Sequence, residues 1–211
     1  MNKKLLYFLS GAGLFSIFVG FSYIVHKNVL NQFDFDMTVK IQDHMPRRFD
    51  NFFSLLSDIG AVEITGIFVA ILVIWLFWKR KWFVGLLTGF LFVFFHVFEI
   101  YGKTFVRHLP PPHFMLRTHD VFNFSRFYVR EENSYPSGHA GRALFVTTVL
   151  AVLITHSKLS LNKKLISYGF LIAYDLTMVV SRVYLGEHWT SDVIGGSLLG
   201  SSFGLLIGIL L

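Results

Sequence analysis

A histidine and an aspartate stand four residues apart near the end of the chain. If this segment is helical, His188 and Asp192 share one face, one turn apart. The carboxylate can then accept a hydrogen bond from one ring nitrogen of His188 and leave the other as a nucleophile or a base. Arg182, six residues before His188, carries a guanidinium whose fork matches the oxygens of a phosphate. A His–Asp pair alone is usually an ordinary surface contact, so the arginine is what favours phosphoryl chemistry.

A second histidine ends the sequence Tyr135-Pro136-Ser137-Gly138-His139, which directly precedes an apolar run. Ser137 and Gly138 can offer backbone N–H groups at a helix start, where the helix dipole favours an anion. His139 would lie in the first turn, and Arg142 would share its face. With two histidines beside one phosphate, one can attack phosphorus while the other protonates the leaving oxygen.

A third cationic segment, Lys103 to Pro112, contains Arg107, His108 and three consecutive prolines. Lys103 and Arg107 also have an ordinary interpretation, as residues that carry the end of an apolar helix to the membrane interface. All three segments nevertheless lie among apolar and aromatic residues, where cations are costly and by default indicate a functional site.

The composition is that of a membrane protein. Of 211 residues, 54% are hydrophobic and only 15% are charged, against about 25% charged in a typical soluble domain. The formal net charge is +6, and the basic residues lie between apolar runs, which suits lipid head groups better than nucleic acid. The absence of cysteine excludes disulfides and thiolate metal sites.

Six apolar runs predict one all-α domain over residues 1–211, a polytopic membrane helix bundle with six transmembrane helices. The predicted spans are Leu5–Val25, Ile64–Trp78, Trp82–Tyr101, Ala140–Thr155, Leu165–Val180 and Val193–Leu211. The first run is longer than a typical signal core and lacks a clear cleavage site, which favours an uncleaved span. The last run carries glycines at four-residue intervals, a flat stripe that should pack against another helix of the same chain.

Positive charges predict the orientation of these spans. Basic residues precede the first span, fill the link between the second and third, and separate the fourth from the fifth. The positive-inside rule puts these sites and the N-terminus in the cytoplasm, so the three chemical segments face the extracytoplasmic side. Residues 102–136 form an extracytoplasmic loop whose arginines could bind a lipid head group, or whose aromatic residues could simply rest at the interface. Residues 28–60 are interpreted equally well as a helix in the membrane interface or as a solvated loop.

The three segments together resemble the type-2 phosphatidic acid phosphatase superfamily, which also includes vanadium-dependent haloperoxidases and glucose-6-phosphatase. The family pattern is Lys, six residues, Arg-Pro; then Pro-Ser-Gly-His; then Ser-Arg, five residues, His, three residues, Asp. The second and third parts are present without a substitution, as Pro136 to His139 and as Ser181-Arg182 with His188 and Asp192. Eight defined positions at fixed spacing make the resemblance specific.

The resemblance implies a role for each matched residue. His188 would be the nucleophile, oriented by Asp192, and His139 would protonate the leaving group and then activate water. The oxygens of the phosphate would be held by four residues: Lys103, Ser137, Gly138 and Arg182. Such a mechanism needs no metal and no cofactor.

The first part departs from the family, because Pro110 stands where the family has arginine. Arg142 is the first candidate to replace that arginine, since a short helical spacing ties it to His139. Arg107 is another if the helix of Lys103 continues, and Arg117 is a third. His108, just before the prolines, could donate one hydrogen bond to the phosphate.

The expected protein is therefore a multi-pass enzyme of the cell membrane. It would remove phosphate from a lipid phosphate or a polyprenyl diphosphate, through a phosphohistidine, on the extracytoplasmic side. The alternative is a non-catalytic lipid-phosphate binder or transporter on the same scaffold, which the departure at Pro110 favours. A vanadate-dependent oxidase is disfavoured because such relatives are soluble and larger. Membrane lipids are the expected partners, nucleic acid is not, and the oligomeric state and the particular lipid stay open.

Overall fold

The computed structural model describes residues 2–118 and 133–211, and the regular elements in these two ranges are helices. The α-helices are, in chain order, α1 (Lys3–His26), α2 (Asn31–His44), α3 (Asp50–Ile59), α4 (Val62–Trp78), α5 (Trp82–Phe105), α6 (Gly138–Thr155), α7 (Leu161–Tyr184) and α8 (Thr190–Leu206). Short 3-10 turns occupy Arg47–Phe49, His113–Met115 and Ile207–Leu210. The part of the predicted extracytoplasmic loop that spans 119–132 lies outside the described residues.

Five helices are long and apolar enough to cross a membrane: α1, α5, α6, α7, and α8 with its 3-10 extension. A sixth span results if Arg47–Ile59 and α4, which meet at a bend of 48°, are counted as one. The outward faces are apolar; Phe83 and Phe170, for example, are 78% and 74% exposed. Apolar faces of this kind suit contact with lipid rather than water. The predicted all-α membrane bundle is confirmed, and the predicted span Ile64–Trp78 corresponds to α4.

Several helices extend beyond the predicted apolar runs at their polar ends. Helix α5 continues past Tyr101 to Phe105 and so includes Lys103. Helix α7 continues past Val180 and includes Arg182. The apolar stem of a lysine or arginine can lie along a helix while its charged head reaches a polar environment. The apolar runs in the sequence therefore end about one turn before the helices themselves end.

The most extensive helix contact joins α6 to α8. A Cβ atom at Gly196 would collide with the carbonyl of Ser137, and one at Gly200 with the carbonyl of Gly141. Without side chains at these positions the two backbones can approach closely. The predicted packing of the glycine stripe inside one chain is confirmed, and it brings the N-terminal ends of α6 and α8 together.

The segment between the first two spans folds against the ends of α7 and α8. Asp34 of α2 is buried, and Phe53 of α3 packs against Tyr184 and Leu185. Within residues 28–60, the apolar and aromatic stretch Asp50–Ile59 forms helix α3. Its location in the membrane interface stays a prediction.

The contact between α6 and α8 can be tested with a single bulky substitution. We expect Gly200→Leu to lower the melting temperature in detergent by about 5–10 °C, because overpacking a tight contact costs about 1–3 kcal/mol. Gly169→Leu is the matched control, since a Cβ atom at Gly169 meets nothing within 4 Å. Equal melting temperatures for the two variants would contradict the close approach of the helices.

Candidate active site

Asp192 lies in the first turn of α8 and holds the residues before it. Its Oδ2 accepts a hydrogen bond from the backbone N–H of Trp189 at 2.9 Å, and Nδ1 of His188 lies 3.4 Å from the same oxygen. Both side chains of the predicted pair are buried, His188 to 8% exposure and Asp192 completely. With Nδ1 turned to the carboxylate, Nε2 is the ring nitrogen left to act on a substrate.

A tight turn returns the chain from α7 to α8. The carbonyl of Arg182 accepts from the N–H groups of Glu187 at 3.2 Å and His188 at 3.3 Å. Gly186 within this turn has a φ of +70°, and a Cβ atom there would collide with the carbonyl of Met115. Both the left-handed conformation and the close approach require glycine. The turn thereby fixes His188 beside the end of α7 that carries Arg182.

Arg182 is completely buried and is fixed by partners that the motif does not contain. Its guanidinium forms an ion pair with Glu187 and donates a hydrogen bond to Ser57 Oγ in α3. An arginine in this environment depends on neighbouring carboxylates and hydroxyls to offset the cost of burying its charge. Sequence reasoning missed both partners: Glu187 stands directly beside a candidate catalytic histidine, whereas nothing in the sequence connects Ser57 to Arg182.

The start of α6 lies directly against the start of α8. The N–H group of Ser137 donates to the carbonyl of Asp192 at 2.9 Å, so one backbone hydrogen bond joins the second and third segments. The hydroxyl of Ser137 is buried and has no hydrogen-bond partner within the described residues. The first N–H groups of a helix also lack partners inside the helix. Donors of this kind at a helix N-terminus can hold the oxygens of an anion.

His139, in the first turn of α6, is half-buried and lies among cationic groups. Arg182, Arg142, Lys103 and His188 are all near enough to act on it electrostatically. The structure therefore brings both candidate histidines together with three candidate phosphate-binding cations.

The charge state of His188 suits a nucleophile. Burial lowers the pKa of His188 below its usual value of 6.5, and the positive charges of Lys103 and Arg182 lower it further, while Asp192 opposes them. A lowered pKa favours the neutral ring at physiological pH, and only the neutral ring has a lone pair to offer.

Arg142 is near this site, but its described partners are protein groups. Its Nε donates to the carbonyl of Gly60 at 3.1 Å, and its Nη1 lies 3.3 Å from a carboxylate oxygen of Glu99. Arg142 thus ties α6 to α5 and to the bend between α3 and α4. Its predicted part in binding phosphate stays a prediction, and it would have to share its guanidinium with Glu99.

The other two candidate arginines are placed differently from what the sequence suggested. Arg107 was a candidate only if the helix of Lys103 continued, and helix α5 ends at Phe105, so this condition is not met. The guanidinium of Arg117 donates to the carbonyls of Gln42 and Met45 and lies over the ring of Tyr184. These contacts use Arg117 to hold α2 against the end of α7.

His108 contacts a carboxylate rather than an open anion site. Its Nδ1 lies 2.7 Å from Oδ1 of Asp192, and its Nε2 lies 3.6 Å from Oδ2 of Asp34. The expectation that His108 donates to a phosphate is therefore replaced by a contact with Asp192. Sequence reasoning missed Asp34, an acidic residue in α2 that no local pattern connects to α8.

A cavity of about 780 Å³ opens beside His108. It is lined by residues of α2, the end of α5, the proline segment and the turn before α8, among them Phe35, Arg107, Leu109 and Trp189.

Across residues 2–118 and 133–211, no group of three or more His, Asp or Glu side chains has an arrangement that could hold a metal ion.

Comparison with known proteins agrees with the resemblance found in the sequence. The family model of the PAP2 superfamily matches residues 81–210, more than half of the chain. Two curated relatives match shorter segments. Phosphatidylglycerophosphatase B of Bacillus subtilis is 44% identical over 71 residues, and undecaprenyl-diphosphatase of Sulfolobus acidocaldarius is 43% identical over 74 residues. The matched segments cover 32% and 35% of this chain and 34% and 31% of the two relatives, so each relative is matched over about a third of its length.

Two solved structures share the fold over most of the chain. A transmembrane PAP2-type phosphatidylglycerolphosphate phosphatase from Bacillus subtilis superposes with a TM-score of 0.75 at 23% identity, covering 94% of both chains. Aquifex aeolicus LpxE superposes with a TM-score of 0.61 at 22% identity, covering 83% of this chain and 94% of the other. At these identities the likeness supports the helical membrane fold and leaves the chemistry to the site.

The ion pair between Glu187 and Arg182 gives a prediction for stability. Glu187→Gln removes the carboxylate that offsets a completely buried guanidinium, which typically costs about 3 kcal/mol. We therefore expect a melting temperature in detergent several degrees below that of the unchanged protein. Glu63→Gln, which alters an exposed acid at the start of α4, is the control and should melt with the unchanged protein. If both variants do so, the pair does not stabilise the fold.

Proposed function

This chain belongs to the PAP2 superfamily, and we propose that it removes phosphate from a lipid phosphate or a polyprenyl diphosphate at the extracytoplasmic face of the cell membrane. The observation that carries the proposal is the junction of α6 with α8. There the Ser137–Asp192 hydrogen bond joins the two helix starts, His188 and the buried Arg182 are near enough to act on His139 electrostatically, and the Ser137 hydroxyl has no partner among the described residues. This combination offers a nucleophile, an acid and an anion site within one small region.

In the first step, Nε2 of His188 attacks phosphorus. The new P–N bond forms as the P–O bond to the lipid, or to the second phosphate, breaks. His139 gives its proton to the departing oxygen, so the leaving group departs neutral at that oxygen. Lys103, Arg182 and the donors at Ser137 and Gly138 stabilise the charge on the three equatorial oxygens.

In the second step, water replaces His188. His139, now without its proton, accepts one from the attacking water as the new P–O bond forms and the P–N bond breaks. Inorganic phosphate leaves, His188 becomes neutral again and His139 regains its proton. Both steps use only groups of this chain and water, and we propose that no metal takes part.

The proposed substrate class follows from the site and its surroundings. Exposed aromatic and aliphatic residues on α5 and α7 can contact an acyl or prenyl tail while the cationic site takes the phosphate. The names of the two curated relatives support this class, since one refers to phosphatidylglycerophosphate and the other to undecaprenyl diphosphate. The extracytoplasmic location is proposed from the distribution of lysines and arginines along the sequence.

A non-catalytic binder or transporter of lipid phosphates is the second candidate. Pro110 stands in place of the family's arginine, and the guanidinium of Arg142 is already paired with Glu99. A site with one guanidinium fewer would hold the transition state less strongly, whereas it could still bind an anion.

Phosphate release by the purified protein separates the two candidates. We expect release from phosphatidic acid, phosphatidylglycerol phosphate or a polyprenyl diphosphate in detergent with a metal chelator present. His188→Ala should lower it about a thousand-fold or more, because the nucleophile is lost. His44→Ala, at an exposed position at the end of α2, should leave it unchanged. If the unchanged protein releases no more phosphate than His188→Ala, the enzymatic proposal fails and the binder is favoured.

The pH dependence tests the charge state of His188. Protonation removes its lone pair, so activity should fall as the pH drops through the pKa of His188, which burial holds below 6.5. Asp192 raises that pKa, so Asp192→Asn should move the midpoint of the acid limb to lower pH even though the rate falls. The substrate's own ionisation is the same for both proteins, so the difference between their profiles reports the enzyme. An unchanged midpoint would show that another group controls this limb.

A further inference from the structure

The carboxylate of Asp192 has two imidazole partners, and the nearer one lies outside the His188 motif. Nδ1 of His108 is 2.7 Å from Oδ1, whereas Nδ1 of His188 is 3.4 Å from Oδ2. Asp192 is completely buried, and His108 is 4% exposed. Each carboxylate oxygen therefore faces a different histidine, and a rotation that improves one contact changes the other.

Asp34 extends this cluster from the opposite side. Its Oδ1 accepts from the N–H of Ser191 at 2.8 Å, and its Oδ2 accepts from the Ser191 hydroxyl at 2.7 Å. The same Oδ2 lies 3.6 Å from Nε2 of His108. Asp34 thus caps the start of α8 from α2 and puts a second buried carboxylate against His108.

The backbone of His108 is fixed as firmly as its ring. Its N–H donates to Oδ1 of Asn133 at 3.1 Å. Its carbonyl accepts from the N–H of Ser134 at 2.8 Å and from the Ser134 hydroxyl at 3.1 Å. These bonds attach His108 to the segment that directly precedes Pro136-Ser137-Gly138-His139. A histidine held at its backbone, with a carboxylate near each ring nitrogen, has little freedom to turn toward a substrate.

We infer that His108 and Asp34 are positioning residues, which hold the carboxylate of Asp192 in the orientation that keeps Nδ1 of His188 engaged and Nε2 directed at phosphorus. The inference rests on the proposed function. Asp34 acts through His108, His108 acts through Asp192, and neither touches the substrate. The segment in which the family's arginine is replaced by Pro110 therefore serves the nucleophile through His108.

Substitutions at His108 can separate positioning from phosphate binding. His108→Asn keeps an N–H donor near the position of Nδ1, whereas His108→Leu removes it. We expect His108→Leu to lower kcat about 10–100-fold, as is usual for residues that orient a functional histidine from the second layer. KM should change less than about three-fold, and His108→Asn should recover most of kcat. A residue that binds phosphate directly would instead raise KM.

Matched controls are available on the same elements. His113→Asn alters an exposed histidine in the neighbouring 3-10 turn, and Asp36→Asn alters an exposed acid two residues from Asp34. Both should behave as the unchanged protein. Asp34→Asn keeps an acceptor for the N–H of Ser191 but loses the charge that faces His108, so we expect kcat to fall several-fold.

A readout that needs no turnover keeps this inference separate from the proposed function. The rate at which diethyl pyrocarbonate modifies His188, measured by mass spectrometry, should fall about five-fold in His108→Leu, because a misplaced carboxylate no longer makes the ring a strong nucleophile. His108→Asn should react at nearly the original rate. Equal rates for the unchanged protein and both folded His108 variants would overturn the inference, even where phosphate release depends on His188. A fall in the His108→Leu rate would support positioning of His188 even in a protein that releases no phosphate.

Discussion

The rest of the site depends on the close approach of α6 to α8. Three backbone positions without side chains, Gly141, Gly196 and Gly200, let the carbonyls of one helix lie against the Cα atoms of the other. Larger residues would separate the helices and break the bond from the N–H of Ser137 to the carbonyl of Asp192. Since His139 and His188 lie at the two helix starts, the distance between the histidines is fixed by a contact that involves neither of them.

Concentrating cations in a mostly apolar protein has a cost, and the structure offsets it with acidic neighbours. Arg182 pairs with Glu187, and Arg142 pairs with Glu99. Asp192 lies against two histidines. The acids at 99 and 187 are outside the family pattern, yet without them the buried guanidinium groups would carry uncompensated charge. The motif thus supplies the groups proposed to react, and the surrounding chain supplies the countercharges that allow them to be buried.

The sequence predicted those features that depend on local spacing or on long apolar runs. Five helices and the bent pair correspond to the six apolar runs. His188 does lie beside Asp192, but α8 begins only at Thr190, so the two residues meet at a helix start and not on one helix face. Contacts between residues that are far apart in the sequence could not be predicted from it. Asp34 is separated from His108 by 74 residues, and no periodicity links α2 to the proline segment. The helical alignment of Arg107 with Lys103 required a longer helix, and α5 ends at Phe105, five residues before the first proline.

The departure from the family at Pro110 takes on a different meaning once these contacts are considered. From the sequence it looks like the loss of one phosphate-binding group, which weakens the case for catalysis. In the structure, the residue two positions earlier, His108, lies against Asp192 and is backed by Asp34.

A guanidinium would contribute directly to charge stabilisation, whereas an imidazole held between two carboxylates contributes by limiting the motion of the group that orients His188. Under the proposed function, such a site would have fewer bonds to the phosphate and a more rigid nucleophile. Catalysis gains from interactions that are stronger in the transition state than in the ground state. A rigid nucleophile acts on the chemical step, so it can offset a lost phosphate contact without tighter binding of the lipid.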